Sequence, residues 1–293
     1  MSPPGFTGGR LDRADRLRHD ADALAAVLDW RARLLVLGPG YEPQVDEAGR
    51  LGWTSLAQAP DDAELVLLGL EDGRAHVAAI TPPDSGSPGG VAFRSPRLMA
   101  ALAEMAPGEA ATWAAARSVL DWHARHGFCA ACASPTTVFR AGWGRKCPDC
   151  ATEHFPRTDP VVIMIAEHDD RALLGRQASW PAGRYSALAG FLEPGESIEE
   201  AVAREIGEEA GIAVTDVRYV ASQPWPFPSQ LMIACVATAL DDALTLDENE
   251  LQDAIWVPRD DVRAVLAGEQ GSFLAPPPYA IAHTLLTAWA AGE

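Results

Sequence analysis

Residues 190–212 read GFLEPGESIEEAVAREIGEEAGI, and the rest of the chain is best read outward from them. Gly190 and the Pro194-Gly195 pair predict a tight loop. Ser197 followed by Glu200 forms a capping box, so a helix starts here and is predicted over 198–210. Val202, Ile206 and Ala210 recur every fourth residue and mark a buried stripe. Gly211 ends the helix. Glu205, Glu208 and Glu209 stand at i, i+3 and i+4, so their carboxylates share one face. Like charges at that spacing repel by roughly a few tenths of a kcal/mol per pair, a sign that a hard divalent cation reverses. Carboxylate oxygens, completed by water and phosphate oxygens, suit Mg²⁺ or Mn²⁺. Arg204 reaches Glu208 at i+4 and can also orient Glu196 in the preceding loop. Spacing alone leaves a solvated acidic helix face as the competing explanation.

Around this helix, 161–166, 172–177, 185–191, 230–239 and 254–257 read as strands, with a turn at 167–170. Residues 259–267 and 279–290 read as helices. Strands and helices mixed without a regular βαβ repeat predict an α+β or mixed α/β class, a layered sandwich and not a doubly wound sheet. Shortly after the glutamate helix comes Ser222-Gln-Pro-Trp-Pro-Phe-Pro228. Prolines at alternate positions predict a stiff, extended segment. Trp225 and Phe227 then have little entropy left to lose and can line a pocket for a flat base. The competing explanation is a proline–aromatic plug in a core.

Upstream, Cys129-x2-Cys132 and Cys147-x2-Cys150 are spaced as two thiolate pairs that complete one tetrahedron around zinc. Four protein sulfurs leave no open position, so the zinc is expected to be structural. His123, His126 and His154 lie close in sequence as alternative ligands, although four sulfurs already suffice. The local basic residues Arg140, Arg145, Lys146 and Arg157 form a thin patch. Residues 1–20 read as a flexible or lightly anchored lead-in. Short apolar runs at 33–37 and 64–70 predict a small β-rich unit. Residues 81–90 read as a loop, and 96–126 as two helices broken near Pro107-Gly108. The expected domains are 1–126, 127–157 and 158–293.

Composition narrows the function. The 293 residues carry 41 acidic and 23 basic side chains, a formal net charge of −18. So acidic a chain is not a general binder of nucleic-acid backbones. Hydrophobic residues at 48% support a sizeable core. No run has the length of a membrane span, and the polar start lacks a signal-peptide stretch, so a cytoplasmic protein is expected.

Residues 190–212 match G-x5-E-x7-R-E-U-x-E-E-x-G-U, with U aliphatic, at every specified position. The chain therefore resembles the Nudix hydrolases. The Ser222–Pro228 array, together with a four-cysteine ribbon just before the Nudix domain, resembles the NADH pyrophosphatase branch of that family, strongly over 128–293 and weakly before. The resemblance implies a Nudix α/β/α sandwich over 158–293, preceded by a zinc ribbon and a β-rich N-terminal domain. It implies hydrolysis of the pyrophosphate of NAD(H) to nicotinamide mononucleotide and AMP, with removal of NAD caps from RNA as the same chemistry. By resemblance, the Ala189 carbonyl, Glu205, Glu208, Glu209 and Glu250 bind the catalytic Mg²⁺ or Mn²⁺. Either Glu209 or Glu250 serves as the base. Gln223, Pro224, Trp225, Pro226, Phe227, Pro228, Ser229 and Gln230 contact the dinucleotide. Phe191 stacks on a base, the backbone of Ala282 touches substrate, and Phe155 stands at a position often held by tyrosine that reaches the neighbouring subunit of a homodimer. In one departure, Gln230 stands where the family has serine and Ser229 takes the variable place. The rivals are a broader dinucleotide or ADP-ribose pyrophosphatase, and a non-catalytic nucleotide-binding regulator with a zinc ribbon.

Overall fold

The computed structural model describes residues 3–81 and 95–292. The loop expected at 81–90 therefore lies, from residue 82 on, outside the described residues. The chain divides into two compact units. One comprises Phe6–Thr158 with Trp225–Ser229, the other Asp159–Pro224 and residues 230–292 with the few residues before Phe6.

The first of these units opens with α1 (Ala21–Val27), β1 (Arg33–Leu35), β2 (Trp53–Ser55), β3 (Glu64–Glu71) and β4 (Arg74–Ile80). They form a sheet of order β2-β1-β4-β3, in which only the β1–β4 pairing is parallel. Leu34, Leu67, Ala75 and Val77 make its core. Next come α2 (Pro96–Glu104) and α3 (Glu109–Arg125), broken before Gly108. Gly108 has φ +84, and a Cβ there would stand 2.6 Å from the Gly8 carbonyl oxygen, so glycine is required on both counts. The cysteine-bearing insert adds β5 (Thr137–Phe139), β6 (Gly144–Lys146) and β7 (Glu153–His154), an antiparallel three-stranded sheet.

Of the flexible or lightly anchored lead-in expected over 1–20, the described residues 3–20 take the anchored form. Phe6 and Ala14 are buried. Asp12 and Leu70 exchange backbone hydrogen bonds of 2.9 and 2.8 Å. Asp15–His19 forms a 3-10 turn, and the Arg18 guanidinium lies 4.1 Å from the Trp143 ring centre. A polar segment anchored by two or three single residues has no periodicity to betray it.

In the other unit, β8 (Asp159–His168), β9 (Arg171–Arg176), β10 (Leu188–Phe191), β11 (Val214–Trp225), β12 (Gln230–Ala239) and β13 (Asp253–Pro258) form one mixed sheet. Its order is β11-β12-β8-β9-β13, with β10 also paired to β8. β12 runs parallel to β8, whereas β9 and β10 are antiparallel to it. Side chains alternate across the sheet. Val162 and Met164 join Val202, Ile206 and Ala210 of α4 (Ile198–Ala210) on one face. Ile163 and Ile165 join Val262 of α5 (Arg259–Leu266) and Leu285 and Trp289 of α6 (Ile281–Ala291) on the other. Burial on both faces is why 161–166 is a continuous apolar run and not an alternating one. This unit is the layered sandwich expected from the sequence. β11 escaped that reading because Thr215, Asp216, Arg218 and Tyr219 leave it no apolar period. The extended segment expected over Ser222–Pro228 holds as far as Trp225, where β11 ends; 226–229 form a turn before β12 instead.

Candidate active site and zinc centre

α4 begins as the sequence requires. Ser197 Oγ accepts from the Glu200 amide (3.2 Å), and a Glu200 carboxylate oxygen accepts from the Ser197 amide (2.7 Å). The buried stripe pins one face of the helix to the sheet, which leaves Arg204 free to organise the acidic face. Its Nε and one terminal nitrogen donate to both oxygens of Glu196, at 2.6 and 2.9 Å. The other terminal nitrogen donates to Glu205 (2.9 Å) and Glu208 (3.0 Å), and the fork also reaches the Phe191 carbonyl at 2.9 Å. This bidentate grip, with a bond from the Glu193 amide, holds the Glu196 carboxyl down at about 2.

Glu205 lies directly against the backbone of Gly190. A Cβ at that glycine would come within 1.8 Å of the Glu205 carboxyl carbon. The box glycine is thus explained by the space the carboxylate occupies. Glu209 is 5% exposed. Burial first, then the charges of Glu205, Glu250 and Glu208, pushes its carboxyl up to about 8. Burial also raises the Glu205 carboxyl. Glu250 is itself exposed but is brought to this cluster by its loop: the Asp247 amide donates to the Glu209 carbonyl, and the Glu250 amide to the Asp247 carbonyl, both at 3.0 Å. Ala189 lies in β10 opposite Ile163, and Phe191 ends that strand half exposed. A patch of carboxylates with one buried and proton-hungry member is a donor set that fits a divalent cation. Two of those carboxylates are already turned toward Arg204.

The four cysteine sulfurs are assembled differently. Cys129–Cys150, Cys132–Cys147 and Cys132–Cys150 sulfurs are 3.6, 3.4 and 3.4 Å apart, and all four lie within 4.8 Å of one another. A tetrahedron with Zn–S bonds of about 2.3 Å has edges of about 3.8 Å, so the set fits zinc. The two knuckles repeat each other. Ala133 and Ala151, each four residues past the first cysteine, have φ +63 and +61 and donate to the carbonyls of Cys129 and Cys147. Among the described residues, only these four ligand atoms converge so closely. His154 approaches the Cys129 sulfur at 3.3 Å without joining the set. His126 turns to the Trp122 carbonyl, and His123 to the Gly142 carbonyl.

The chain is 39% identical to the NAD-capped RNA hydrolase NudC of Mycobacterium bovis over 301 aligned positions, which span 96% of this chain and 93% of that protein. Residues 156–275 match the NUDIX domain, 124–155 the NADH pyrophosphatase zinc ribbon domain and 25–122 the NADH pyrophosphatase-like rudimentary NUDIX domain. The chain belongs to the Nudix family. It is also 41% identical to the NAD-capped RNA hydrolase NUDT12 of Homo sapiens over 261 residues, 85% of this chain. The chain spans about half the length of that relative, 52%.

The Nudix helix brings Arg204, Glu205, Glu208, Glu209 and, through its loop, Glu250 together in one unit. Phe191 and Ala189 share that unit, as does Ala282, buried in the first turn of α6 where amides lack acceptors within the helix. Gln223 is there too, fully buried, with neither amide atom hydrogen-bonded. Such an orphan amide is uncommon in a folded protein. Pro224, the next residue, is exposed. Trp225, Pro226, Phe227, Pro228 and Ser229 belong instead to the Phe6–Thr158 unit, with Phe155. There Phe227 is buried, its ring 6.2 Å from that of Trp113. Ser229 Oγ donates to the Arg157 carbonyl at 2.8 Å, so the exchanged serine has a partner of its own. Gln230 opens β12 opposite Asp159. Phe155 is half exposed beneath the Arg140 guanidinium, 5.4 Å from its ring centre. Sequence reading missed Asp247, which ties Glu250 to the helix, and the residues that hold 225–229. None of them carries a local motif.

Proposed function

We propose that this Nudix protein is a divalent-metal-dependent pyrophosphohydrolase that cleaves NAD(H) into nicotinamide mononucleotide and AMP and removes NAD caps from RNA. The observation that carries the reading is the buried Glu209 amid Glu205, Glu208 and Glu250, braced by Arg204, in a chain that also has the Gln223–Gln230 array. Glu205, Glu208, Glu209, Glu250 and the Ala189 carbonyl would hold Mg²⁺ or Mn²⁺. When bound, the ion supplies charge neutralisation for the diphosphate and makes water more acidic. Water attacks one phosphorus in line, the bridging P–O bond breaks, and the bridging oxygen leaves with the other mononucleotide. Glu209 or Glu250 takes the proton of the attacking water. Arg204 keeps Glu205 and Glu208 oriented between turnovers. Phe191 and Phe155 offer faces for stacking, and the Gln223 amide offers a donor and an acceptor to a polar substrate edge.

The zinc, closed off by Cys129, Cys132, Cys147 and Cys150, takes a structural role, one ion per chain. The protein works in this reading as a cytoplasmic homodimer, with Phe155 serving the neighbouring subunit. No helix among the described residues is long and apolar enough to cross a membrane. The test is product analysis by chromatography with NADH, NAD⁺, ADP-ribose and a short NAD-capped RNA, each with Mg²⁺ or Mn²⁺. Release of nicotinamide mononucleotide from NADH or the capped RNA supports the reading and ranks the two. Preference for ADP-ribose replaces it with a broader pyrophosphatase, and no cleavage of any substrate by folded, zinc-loaded protein replaces it with the binding regulator.

A further inference from the structure

α3 presents Trp113, Arg117 and Ser118 to Trp225–Ser229 within one compact unit. Arg117 is 1% exposed. Its Nε donates to the Pro226 carbonyl (3.0 Å) and a terminal nitrogen donates to the Gly40 carbonyl (2.6 Å). The guanidinium stands 5.1 Å from the Phe227 ring centre and 5.5 Å from that of Trp113. Ser118 Oγ donates to the Pro228 carbonyl at 3.3 Å. The Trp225 ring meets Phe6 edge-on at 5.7 Å and Phe227 at 5.1 Å. Trp113 in turn donates its indole N–H to the Tyr41 carbonyl at 2.8 Å. Taking a guanidinium out of water is costly, and burial pulls this one down to about 10. A planar fork with fixed donor directions recovers that cost only where acceptors and ring faces are set out to match it. Here the acceptor that matters is a carbonyl in the middle of the array.

We propose that Arg117 is a positioning residue for dinucleotide binding: it locks the 226–228 turn to α3, and so fixes Trp225, Phe227 and Ser229 of the array within their own unit. The inference rests on the reading of 223–230 as substrate contacts given above. It assigns the N-terminal unit a task in substrate affinity that needs no contact between Arg117 and substrate. Removing the fork leaves the Pro226 carbonyl buried without its donor, and the turn relaxes to find another. The chemistry at the glutamates is untouched.

The test is steady-state kinetics on NADH with the full-length, zinc-loaded protein at saturating Mg²⁺, comparing wild type, Arg117→Met and Arg117→Lys, with melting temperature and zinc content measured for each. Arg117→Met is expected to raise KM about tenfold while kcat stays within about twofold. Arg117→Lys keeps the charge and one bond but loses the fork, so its KM rises about threefold, a partial rescue. An unchanged KM in folded variants overturns the proposal, as does a fall in kcat at constant KM, the signature of a smaller folded fraction. If Arg117→Met does not fold, Arg117→Lys decides by the same criterion. Wild-type turnover with unshifted variants overturns this inference alone. A wild type that leaves NADH intact overturns the functional reading and the inference with it.

Discussion

The two clusters of potential metal ligands are built on opposite principles. The cysteines sit on two turns of near-identical backbone, each with an alanine at positive φ and amides aimed back at the knuckle. Their sulfurs are already at the spacing one ion requires. The glutamates sit on a single helix face, and two of them are held by Arg204 rather than by each other. The first arrangement keeps its ion, because four sulfurs fill the tetrahedron and leave no place for substrate. In the proposed reading the second would share its ion with phosphate oxygens, which calls for a site that stays open and exchangeable. Backbone turns shape the thiolate cluster, whereas side-chain hydrogen bonds hold the carboxylate one.

The sharpest way to break the contrast is Glu209→Gln. Turnover is expected to fall at least about a thousandfold while zinc stays bound and the melting temperature is kept. Full activity in kinetics with Mn²⁺ would sink the metal assignment. Gly190→Ala tests whether the glutamate face depends on backbone space. The added Cβ drives the Glu205 carboxyl away, so activity is expected to drop about a hundredfold, with a small change in melting temperature. An unshifted Mn²⁺ titration would show that Glu205 can bind from elsewhere. Cys147→Ser probes the other cluster. It should lose zinc by elemental analysis and melt about 10 °C or more below wild type, whereas EDTA under conditions that spare zinc should stop turnover reversibly without unfolding.

The smallest effect concerns how the cysteine insert is tied to α3. His123 is buried; its Nε2–H donates to the Gly142 carbonyl (2.8 Å) and its Nδ1 accepts from Arg145 (3.1 Å). Burial pulls its pKa from 6.5 down to about 4. Between those values the unfolded chain binds a proton that the folded chain refuses. The stability His123 contributes is therefore complete above pH 6.5 and is lost as pH falls toward 4, by on the order of 3 kcal/mol. Denaturant melts across that range should show the decline, and His123→Gln should flatten it. An equally steep decline in the variant would place the acid sensitivity elsewhere.

The glutamate helix and the cysteine pairs were legible because each is a local device. A capping box, a four-residue stripe and a C-x2-C pair act within a few residues, and the structure holds each where its spacing demands. Which residues anchor the lead-in was not legible, since Phe6 and Asp12 are isolated residues whose partners, Trp113 and Leu70, are far away in sequence. β11 was hidden by its polar face. The alternate prolines of the Ser222–Pro228 array predict one stiff strip. It is instead divided, with Gln223 and Pro224 in the sheet unit and Trp225 to Ser229 in the unit of α3.

The sequence by itself determined which residues can carry charge-based and thiolate chemistry, because that depends on side-chain type and on spacing along one helix or one turn. It also determined the family, through letters at fixed intervals. The tertiary structure decided which of those groups are out of water and what each one leans on. Glu209 holds its proton up to about 8 because the fold buries it among other acids. Gln223 is left with an unpaired amide, and Arg117 spends its fork on Pro226. Burial and long-range partners are properties of the packed chain, and no interval along the sequence encodes them.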